Sequence, residues 1–392
     1  MCPSFLATRD EKDSTRGRAR VLQEMVNGSF VSGGWSSKAV HESLDLCLAC
    51  KGCASDCPTG IDMATYKAEV LHQTYRRRLR PRTHYSLGWL SRWSRLASRA
   101  PRLANALMRT PGLSRLALRA AGVDPRRGVP AFAERSFRQT HDASGAEHLE
   151  PVVLFVDTFT NYFSPSAAHA AVRVLAAAGY RAQLVERQYC CGLTWITTGQ
   201  LDAAKRLLSR TVASLAEHAA AGVPIVGLEP SCTAVLRSDA VELLGSDQAR
   251  LVARSIFTLS ELLTNSGWQP PDLGGLEVIA QPHCHHHAVM GWGADRGLLT
   301  RANARVTALA GCCGLAGNFG VEQGHYEVSV AVAEQHLLPA IRRSPSSVVL
   351  ADGFSCRTQL ADLADRPAQH LAELLASALV PAPHTRIEGA PC

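Results

Sequence analysis

The chain has 392 residues, 46% of them hydrophobic and 19% charged, with a formal net charge of +7 and 13 cysteines. This length predicts two or three domains with real cores, and no apolar run approaches the roughly 18 residues of a membrane span. The first residues lack the apolar core of a signal peptide. We therefore expect a cytoplasmic, reducing compartment in which the cysteines bind metal instead of forming disulfides.

Residues 1–75 contain the most specific motif of the chain. It is C-x2-C-x2-C-x3-C-P without a mismatch, and it reads Cys47-Leu-Ala-Cys50-Lys-Gly-Cys53-Ala-Ser-Asp-Cys57-Pro58. Thiolates at these spacings hold an iron–sulfur cluster, because three wrap one cluster in a tight loop and the fourth points away. Helices are predicted over residues 16–26 and 41–46, and a third is capped by Asp62. The segment is predicted to be a helical 4Fe-4S ferredoxin-type domain.

The fourth cysteine of such a motif usually binds the second cluster of a two-cluster domain. The chain begins with a Cys-Pro pair at Cys2, which is how a first motif would end. On this interpretation Cys2, Cys47, Cys50 and Cys53 bind one cluster. Cys57 would bind a second cluster, whose other cysteines lie upstream of this sequence or on another subunit, so the domain would be truncated here. The alternative is a single cluster on the four cysteines of the motif, with Cys2 a spare thiol.

Residues 76–145 form an arginine-rich helical segment. Between residues 76 and 127 there are 14 arginines, no lysine and one acidic residue, so this segment holds all the excess positive charge. Prolines at positions 101 and 111 divide it into short helices, each with proline in its first turn. Helical spacing places Trp and Leu beside Arg on one side, which suits an anionic membrane surface or an acidic partner. The side chains assigned to this surface are Trp89, Arg92, Trp93, Arg95, Arg99 and Arg102.

Other interpretations of this segment involve no membrane. A solvated linker that packs its leucines on the other domains explains it nearly as well, because charged faces are commonly just solvated. No nucleic-acid-binding motif accompanies the arginines, so we expect no nucleic-acid partner.

From residue 150 the pattern changes to α/β and then repeats. Buried parallel strands are predicted over residues 152–156, 182–185 and 223–228, with helices over 164–178 and 201–219 between them. The same order returns with strands over 276–280, 305–309 and 347–350 and a long helix over 326–342. Repetition at this scale predicts two similar half-domains, at 150–270 and 271–376, followed by a flexible tail at 377–392.

Each repeat carries a Cys-Cys-Gly motif and a later cysteine. The first has Cys190, Cys191 and Cys232, and the second has Cys312, Cys313 and Cys356. The second also has Cys284 after its opening strand, where the first has Thr160. The cysteines follow the carboxyl ends of predicted strands, so they should converge at one rim of the sheet. The alternative of merely buried thiols accounts for one such pair but poorly for two with matching spacing.

These positions predict two further metal sites. Cys284, Cys312, Cys313 and Cys356 supply four thiolates and are the best second cluster. The three cysteines of the first repeat would hold a cluster with an open iron, add a ligand to the other site, or have lost metal. The groups expected to surround and tune the sites are His283, Asn318, Gly192 and Gly314.

The two Cys-Cys-Gly repeats resemble the cysteine-rich domains of heterodisulfide reductase and of the small subunits of anaerobic glycerol-3-phosphate and glycolate dehydrogenases. The whole chain most resembles the C-terminal, iron–sulfur half of FAD-linked D-2-hydroxyacid dehydrogenases of the D-lactate and D-2-hydroxyglutarate type. No flavin-binding stretch is visible here. The resemblance implies an α+β multidomain fold, with an all-α ferredoxin-like module followed by two repeated Rossmann-like α/β half-domains of the cysteine-rich CCG type.

The resemblance also implies a function, which is electron transfer from FAD on a partner or missing domain to an acceptor such as quinone. We expect at least one 4Fe-4S cluster, an FAD-binding dehydrogenase partner, and a location in the cytoplasm or on the inner face of the cell membrane. One alternative is disulfide reduction at the three-cysteine site, as in heterodisulfide reductase. A second is a zinc-stabilised interaction module, which would be colourless.

Overall fold

The structure is a computed structural model that describes residues 2–28, 30–142 and 147–379. Cys392 and most of the predicted tail, residues 380–392, lie outside the described residues. The described part is rich in helix and contains two small parallel sheets. None of its helices is long and apolar enough to cross a membrane.

The helices are numbered in chain order over the described residues. They are α1 Pro3–Thr8, α2 Thr15–Asn27, α3 Lys38–Asp45, α4 Gly52–Asp56, α5 Met63–Tyr75, α6 Arg82–Ser86, α7 Leu90–Ala97, α8 Pro101–Arg109, α9 Pro111–Ala121, α10 Phe137–Thr140, α11 Thr158–Tyr162, α12 Pro165–Ala177, α13 Leu193–Thr197, α14 Leu201–Ala220, α15 Pro230–Ala234, α16 Ala240–Leu244, α17 Asp247–Ser255, α18 Leu259–Asn265, α19 Gly293–Arg301, α20 Tyr326–Ala333, α21 Leu337–Arg343, α22 Phe354–Ala364 and α23 Leu371–Ala378. Short 3₁₀ turns occupy Glu11–Asp13, Gly34–Ser36 and Phe319–Val321, and π-helical turns occupy Val235–Asp239 and His286–Met290.

The strands form one sheet in each repeat. They are β1 Glu150–Phe155, β2 Tyr180–Gln183, β3 Ile225–Gly227, β4 Ile256–Thr258, β5 Glu277–Ala280, β6 Arg305–Ala308 and β7 Val348–Leu350. The first sheet has the order β2-β1-β3-β4 and the second β6-β5-β7, and every described pairing is parallel. Parallel strands put all their carboxyl ends on one edge, which is where the cysteines follow.

The six strands predicted from sequence are all present, and β4 is an additional strand. Its three residues follow α17 without a turn signal, and so short a segment has no readable alternation. Asp62 caps α5 as predicted, because its carboxylate accepts hydrogen bonds from two backbone N–H groups of the first turn. Proline begins α8 and α9, as expected for a residue without an N–H.

The predicted long helix over residues 326–342 is wrong. It is broken into α20 and α21, with a turn over residues 334–336. Pro339 lies in the first turn of α21. In a continuous helix its ring would clash with the carbonyl of residue 335 and one backbone hydrogen bond would be lost, so the chain restarts the helix just before it.

The two sheets share one core. A single cluster of buried apolar side chains contains Leu154 and Val226 of the first sheet together with Val278 and Leu350 of the second. The last helix, α23, belongs to this cluster and packs against α12 of the first repeat. Burial of this joint apolar surface holds the repeats together, because neither sheet could cover this face alone.

The arginine-rich segment is fastened to the first repeat by polar contacts. The Arg80 guanidinium donates to the carbonyl oxygens of Thr198 and Gly199 at 2.8 and 2.9 Å. The Trp89 indole donates to Gln200 Oε1 at 2.9 Å, and its ring stacks on Trp195 with the centroids 5.8 Å apart. The beginning of this segment is therefore packed on the protein and is not a free linker.

The end of the segment is anchored in the second repeat by Arg127. This residue is only 3% exposed, and its guanidinium donates to the Gly320 carbonyl, to Gln359 Oε1 and to Ser329 Oγ, each at 2.7 Å. Gln359 in turn donates to the Cys313 carbonyl oxygen at 3.0 Å. A charge this deeply buried is tolerated because each of its sides meets an acceptor.

We predict that Arg127→Met lowers the free energy of unfolding by about 2–4 kcal/mol, because it leaves several buried acceptors unpaired. Arg119→Met is the matched control, since Arg119 is exposed on the same segment. Urea denaturation followed by circular dichroism measures both. Equal stability of the two variants would contradict the anchoring role.

Candidate metal centres

The motif loop between α3 and α4 is held in an unusual backbone conformation. Ala49 and Lys51 have positive φ values of 53° and 59°, which L-residues rarely adopt. The buried Lys51 ammonium holds the loop by ion pairs to Asp62 at 2.7 Å and to Asp239 at 3.1 Å. The His285 ring lies 2.9 Å from the Ala49 carbonyl oxygen. Burial alone would lower the pKa of Lys51, but the two carboxylates raise it above its usual value. Contacts from both repeats thus fix this loop.

The thiol of Cys2 lies with the first three thiols of the motif. Burial tends to raise the pKa of Cys2, but the Arg18 guanidinium, which donates to its sulfur at 3.1 Å, brings the pKa below the usual value. Burial and the neighbouring thiols of Cys284, Cys47 and Cys2 raise the pKa of Cys50 well above its usual range. Burial, Cys47 and Cys2 act in the same direction on the pKa of Cys53. Four sulfurs from two distant parts of the sequence therefore meet here.

Cys57 has different surroundings. Its thiol lies 3.1 Å from Thr59 Oγ1, and hydrogen bonds from Thr59 lower its pKa. Cys57 is not among the neighbours that chiefly set the pKa values of Cys50 and Cys53. This arrangement favours the interpretation in which Cys2 completes the first set and Cys57 does not.

The second repeat brings its four cysteines together at the carboxyl end of its sheet. Hydrogen bonds with Cys284 and Cys313, together with burial, raise the pKa of Cys312 well above its usual range. Cys313 receives hydrogen bonds from Cys312 and Cys356, which lower its pKa strongly despite its burial. The four thiols thus form one continuous chain of sulfur contacts.

Gly314, His283 and Asn318 were expected to surround these thiols, and each has different contacts. Gly314 has φ 91°, and a Cβ there would lie 2.2 Å from the Ser329 carbonyl oxygen, so only glycine fits; its N–H donates to Cys312 Sγ at 3.4 Å. His283 is buried beside Cys313, and burial lowers its pKa to about 3, so it is neutral. The Asn318 amide donates to Glu322.

The three cysteines of the first repeat also meet. Cys191 Sγ lies 2.9 Å from Cys232 Sγ, and hydrogen bonding with Cys191 joins Cys190 to this pair. The Gly192 N–H donates to Cys190 Sγ at 3.4 Å, matching the contact in the second repeat. Thr160, which takes the place of Cys284 in the sequence of this repeat, donates its hydroxyl to Asp157.

Sequence reasoning missed two buried carboxylic acids at this first-repeat site. Asp157 and Glu229 each follow a strand of the first sheet, and both are buried. Burial and the Asp157 charge raise the pKa of Glu229 to about 7. Glu229 Oε2 accepts from the Phe354 N–H at 2.8 Å, two residues before Cys356, so it links the sites of the two repeats. A polar residue just past a buried strand was the available signal.

Residues 283–287, which are four histidines and Cys284, also contribute to a buried polar cluster. His286, Asp295 and Asp352 place ligand-type atoms within 4.8 Å of one another. The His286 ring lies 3.2 Å from the Asp295 carboxylate, and that carboxylate also accepts from Ser260 Oγ at 2.8 Å. Asp352 accepts from the Leu371 N–H at 2.7 Å within the second repeat, and the Ser260–Asp295 hydrogen bond joins the two repeats.

The thiol sets face two cavities. One, of about 1230 Å³, is lined by all five N-terminal cysteines and also by Cys284 and Cys312. The other, of about 760 Å³, is lined by Cys190 and by residues of the arginine-rich segment. The N-terminal and second-repeat sets therefore share one space, whereas the first-repeat set opens on another.

The donor chemistry fits iron–sulfur clusters. The 12 cysteines of the described residues are all free thiols, although several are in sulfur–sulfur contact. Buried thiols this close cannot all ionise unless a cation compensates their charge, and soft thiolates select iron–sulfur clusters or zinc. The motif spacing favours the cluster over zinc.

The exposed surface predicted on the arginine-rich segment is present except at one residue. Arg92, Trp93, Arg95, Arg99 and Arg102 are exposed, whereas Trp89 is half-buried against Trp195. Leucines of α7, α8 and α9 are also exposed, with Leu103 61% and Leu116 68% exposed.

Comparisons with known proteins agree with this donor set. A family model described as a 4Fe-4S dicluster domain matches residues 1–62, and one described as a cysteine-rich domain matches residues 155–237. The chain contains a 4Fe-4S dicluster domain and a cysteine-rich domain. The dicluster match contains Cys2 and the four-cysteine motif, and the cysteine-rich match contains the three thiols of the first repeat.

The homologues of this iron–sulfur chain are oxidoreductases. D-2-hydroxyglutarate dehydrogenase of Pseudomonas putida is 26% identical over 96% of this chain and 41% of its own length. Glycolate oxidase iron-sulfur subunit of Escherichia coli is 23% identical over 96% of this chain and 91% of its own. A subunit of the anaerobic glycerol-3-phosphate dehydrogenase of Escherichia coli is 29% identical over 66% of this chain and 67% of its own. The chain spans about two-fifths of the length of the first relative.

We predict that Cys2→Ala and Cys57→Ala differ in their iron content. Cys2→Ala should lose about four iron atoms per chain after anaerobic preparation, because it removes one sulfur of the first set. Cys57→Ala should keep them. Iron and acid-labile sulfide analysis with electron paramagnetic resonance measures both variants. The reverse result would support the cluster on the four motif cysteines.

Proposed function

We propose that the chain is the iron–sulfur electron-transfer subunit, or segment, of an FAD-linked 2-hydroxyacid dehydrogenase. The single observation that carries this proposal is the shared cavity, in which the N-terminal thiols meet Cys284 and Cys312 of the second repeat. Two neighbouring thiol sets are better suited to relaying electrons than a single structural metal site is. The homologues, which are dehydrogenases and iron–sulfur subunits, support the same class.

In this proposal the domains have distinct roles. Residues 1–75 form the ferredoxin-type domain, and residues 150–270 and 271–376 form two Rossmann-like half-domains. Cys2, Cys47, Cys50 and Cys53 hold one 4Fe-4S cluster, and the four second-repeat cysteines hold another. Bound clusters supply the one-electron chemistry that amino-acid side chains lack.

The other side chains hold and tune these sites. The Arg18 guanidinium and the Lys51 ammonium place positive charge beside the first set, which offsets the negative charge of the thiolates. The Gly192 and Gly314 N–H groups donate to sulfur in the two repeats. His283, which burial keeps neutral, lies beside Cys313 and adds no positive charge to the second site.

The electron-transfer role is tested by mixing. The full chain, prepared anaerobically, is mixed with an FAD-containing 2-hydroxyacid dehydrogenase domain that has been reduced by D-2-hydroxyglutarate, D-lactate or glycolate. We expect the visible absorption of the chain to bleach, and the rate to fall at least about tenfold in Cys50→Ala, which lacks a sulfur of the first set. Bleaching by dithionite but by none of the reduced flavoproteins would contradict the proposal.

A second candidate function is reduction of a disulfide at the first repeat. The observation that favours it is the three-thiol set, which has Thr160 in place of a fourth thiol and opens on a cavity at Cys190. A disulfide would take two electrons and two protons and leave as two thiols. Dithionite-reduced chain should then generate thiols from a disulfide without any flavoprotein, and no thiol release would exclude this activity.

We also propose that the chain binds peripherally to an anionic membrane surface on the cytoplasmic side, where a quinone could accept electrons. Six apolar side chains of α7 to α9 are at least 45% exposed among arginines, and they are Trp93, Leu96, Leu103, Leu107, Leu113 and Leu116. An apolar ridge with cationic flanks is the pattern of an interfacial helix.

The membrane proposal predicts a lipid dependence. The chain should co-sediment with vesicles that contain phosphatidylglycerol and much less with pure phosphatidylcholine. Leu103→Ser with Leu116→Ser should reduce sedimentation several-fold, whereas Val26→Ser with Phe30→Ser, which alters exposed apolar residues elsewhere, should not. Equal binding to both kinds of vesicle, or equal loss in both double variants, would contradict membrane binding through this segment.

A further inference from the structure

The cavity beside Cys190 has an unusual wall. It is lined by five arginines, two on α7, two on α14 and one just before Cys190, and none of the described residues that line it is acidic. They are Arg92, Arg95, Arg187, Arg206 and Arg210. Only packing of the arginine-rich segment on the first repeat brings these three parts of the sequence together. Like charges gathered around one space repel, and an anion bound among them relieves that repulsion.

One of these arginines is held in place before any ligand arrives. The Arg92 guanidinium lies 4.6 Å from the ring centroid of Trp195 and 5.2 Å from that of Trp89. These two rings are themselves stacked, and the Trp89 indole is hydrogen-bonded to Gln200. A guanidinium fixed on aromatic faces keeps its N–H edge free for a carboxylate or phosphate.

Two buried polar atoms on the cavity wall have no hydrogen-bond partner among the described residues. Trp195 is 2% exposed, and its indole Nε1–H is unpaired. Gln188 donates its amide N–H to the Val156 carbonyl oxygen at 2.7 Å, but its Oε1 is unpaired. Buried donors and acceptors are normally satisfied, so unpaired ones on a cavity wall point to a ligand that supplies the partner.

We propose that this cavity binds a small multivalent organic anion, with carboxylate or phosphate groups paired to the arginines and its body against Trp195 and Tyr189. The volume, about 760 Å³, is in the usual range for small-molecule sites. The bound anion lies beside Cys190 and so beside the three-thiol set. Anion binding here does not depend on whether the chain carries electrons from a flavin.

Three of the other cavity arginines, Arg187, Arg206 and Arg210, are exposed. Arg206 and Arg210 are one turn apart on α14 and exposed, and no ion pair of either is present among the described residues. Arg187 is 3.8 Å from the Glu186 carboxylate, a contact between two exposed groups that costs little to break. Two guanidinium groups one turn apart suit two anionic groups of one ligand, which favours multivalent over singly charged anions.

Isothermal titration calorimetry on the full, anaerobically prepared chain tests the proposal. The probes are citrate and inorganic pyrophosphate, with acetate as the singly charged comparison, all at one ionic strength. The wild-type chain should bind citrate or pyrophosphate, and the tighter of the two identifies the anionic group. Acetate should give no measurable binding.

A charge-matched pair of variants separates this cavity from general positive charge. Arg206→Gln with Arg210→Gln should weaken binding about tenfold or more. Arg115→Gln with Arg119→Gln removes two exposed arginines at the same spacing on α9, outside the cavity, and should change affinity less than about twofold. Circular dichroism melting confirms that both variants fold. Equal weakening in the two pairs, or no binding of either multivalent probe to the wild-type chain, would overturn the proposal.

Discussion

Contact between buried thiols is the constraint on which the rest of this structure depends. In the second repeat, hydrogen bonds link Cys284 to Cys312, Cys312 to Cys313, and Cys313 to Cys356. In the first repeat two sulfurs lie 2.9 Å apart. Such groups resist ionisation together unless a cation lies among them. The parallel strands and the two Cys-Cys-Gly turns bring the sulfurs of each repeat to the carboxyl edge of its sheet, and the loop held by Lys51 carries the motif thiols. The same constraint makes iron–sulfur ligation the chemistry that fits.

Long-range polar contacts join the parts that carry the sulfurs. Lys51 connects the motif loop to α5 and to the first repeat, and Arg127 connects the arginine-rich segment to the second. Glu229 links the thiol site of one repeat to the backbone beside Cys356 of the other. Because these contacts are buried and involve charged groups, loss of one partner would leave the other unpaired at high cost. The thiol sites and the shared core are therefore one cooperative unit.

Sequence reasoning recovered what local patterns encode and missed what only packing creates. The cysteine motif, the Asp62 cap and six strands depend on short-range spacing, and the structure contains them all. Strand β4 was too short to show a pattern, and Pro339 divides a helix whose apolar spacing looked continuous. Asp157 and Glu229 had a local signal only in their position just after a buried strand, whereas the convergence of arginines at Cys190 joins segments far apart in sequence and has no local signal. Cys2 is also far from the motif in sequence, but the Cys-Pro pair at the start of the chain was a local signal that predicted its place with the motif thiols.

The central claim is that these cysteines bind iron–sulfur clusters, and iron and acid-labile sulfide analysis of the anaerobically prepared full chain tests it most directly. The account predicts a brown protein with roughly equal amounts of iron and sulfide and about eight of each per chain, for clusters at the N-terminal and second-repeat sites. A colourless protein that contains zinc, or no metal, after anaerobic reconstitution with iron and sulfide would contradict it.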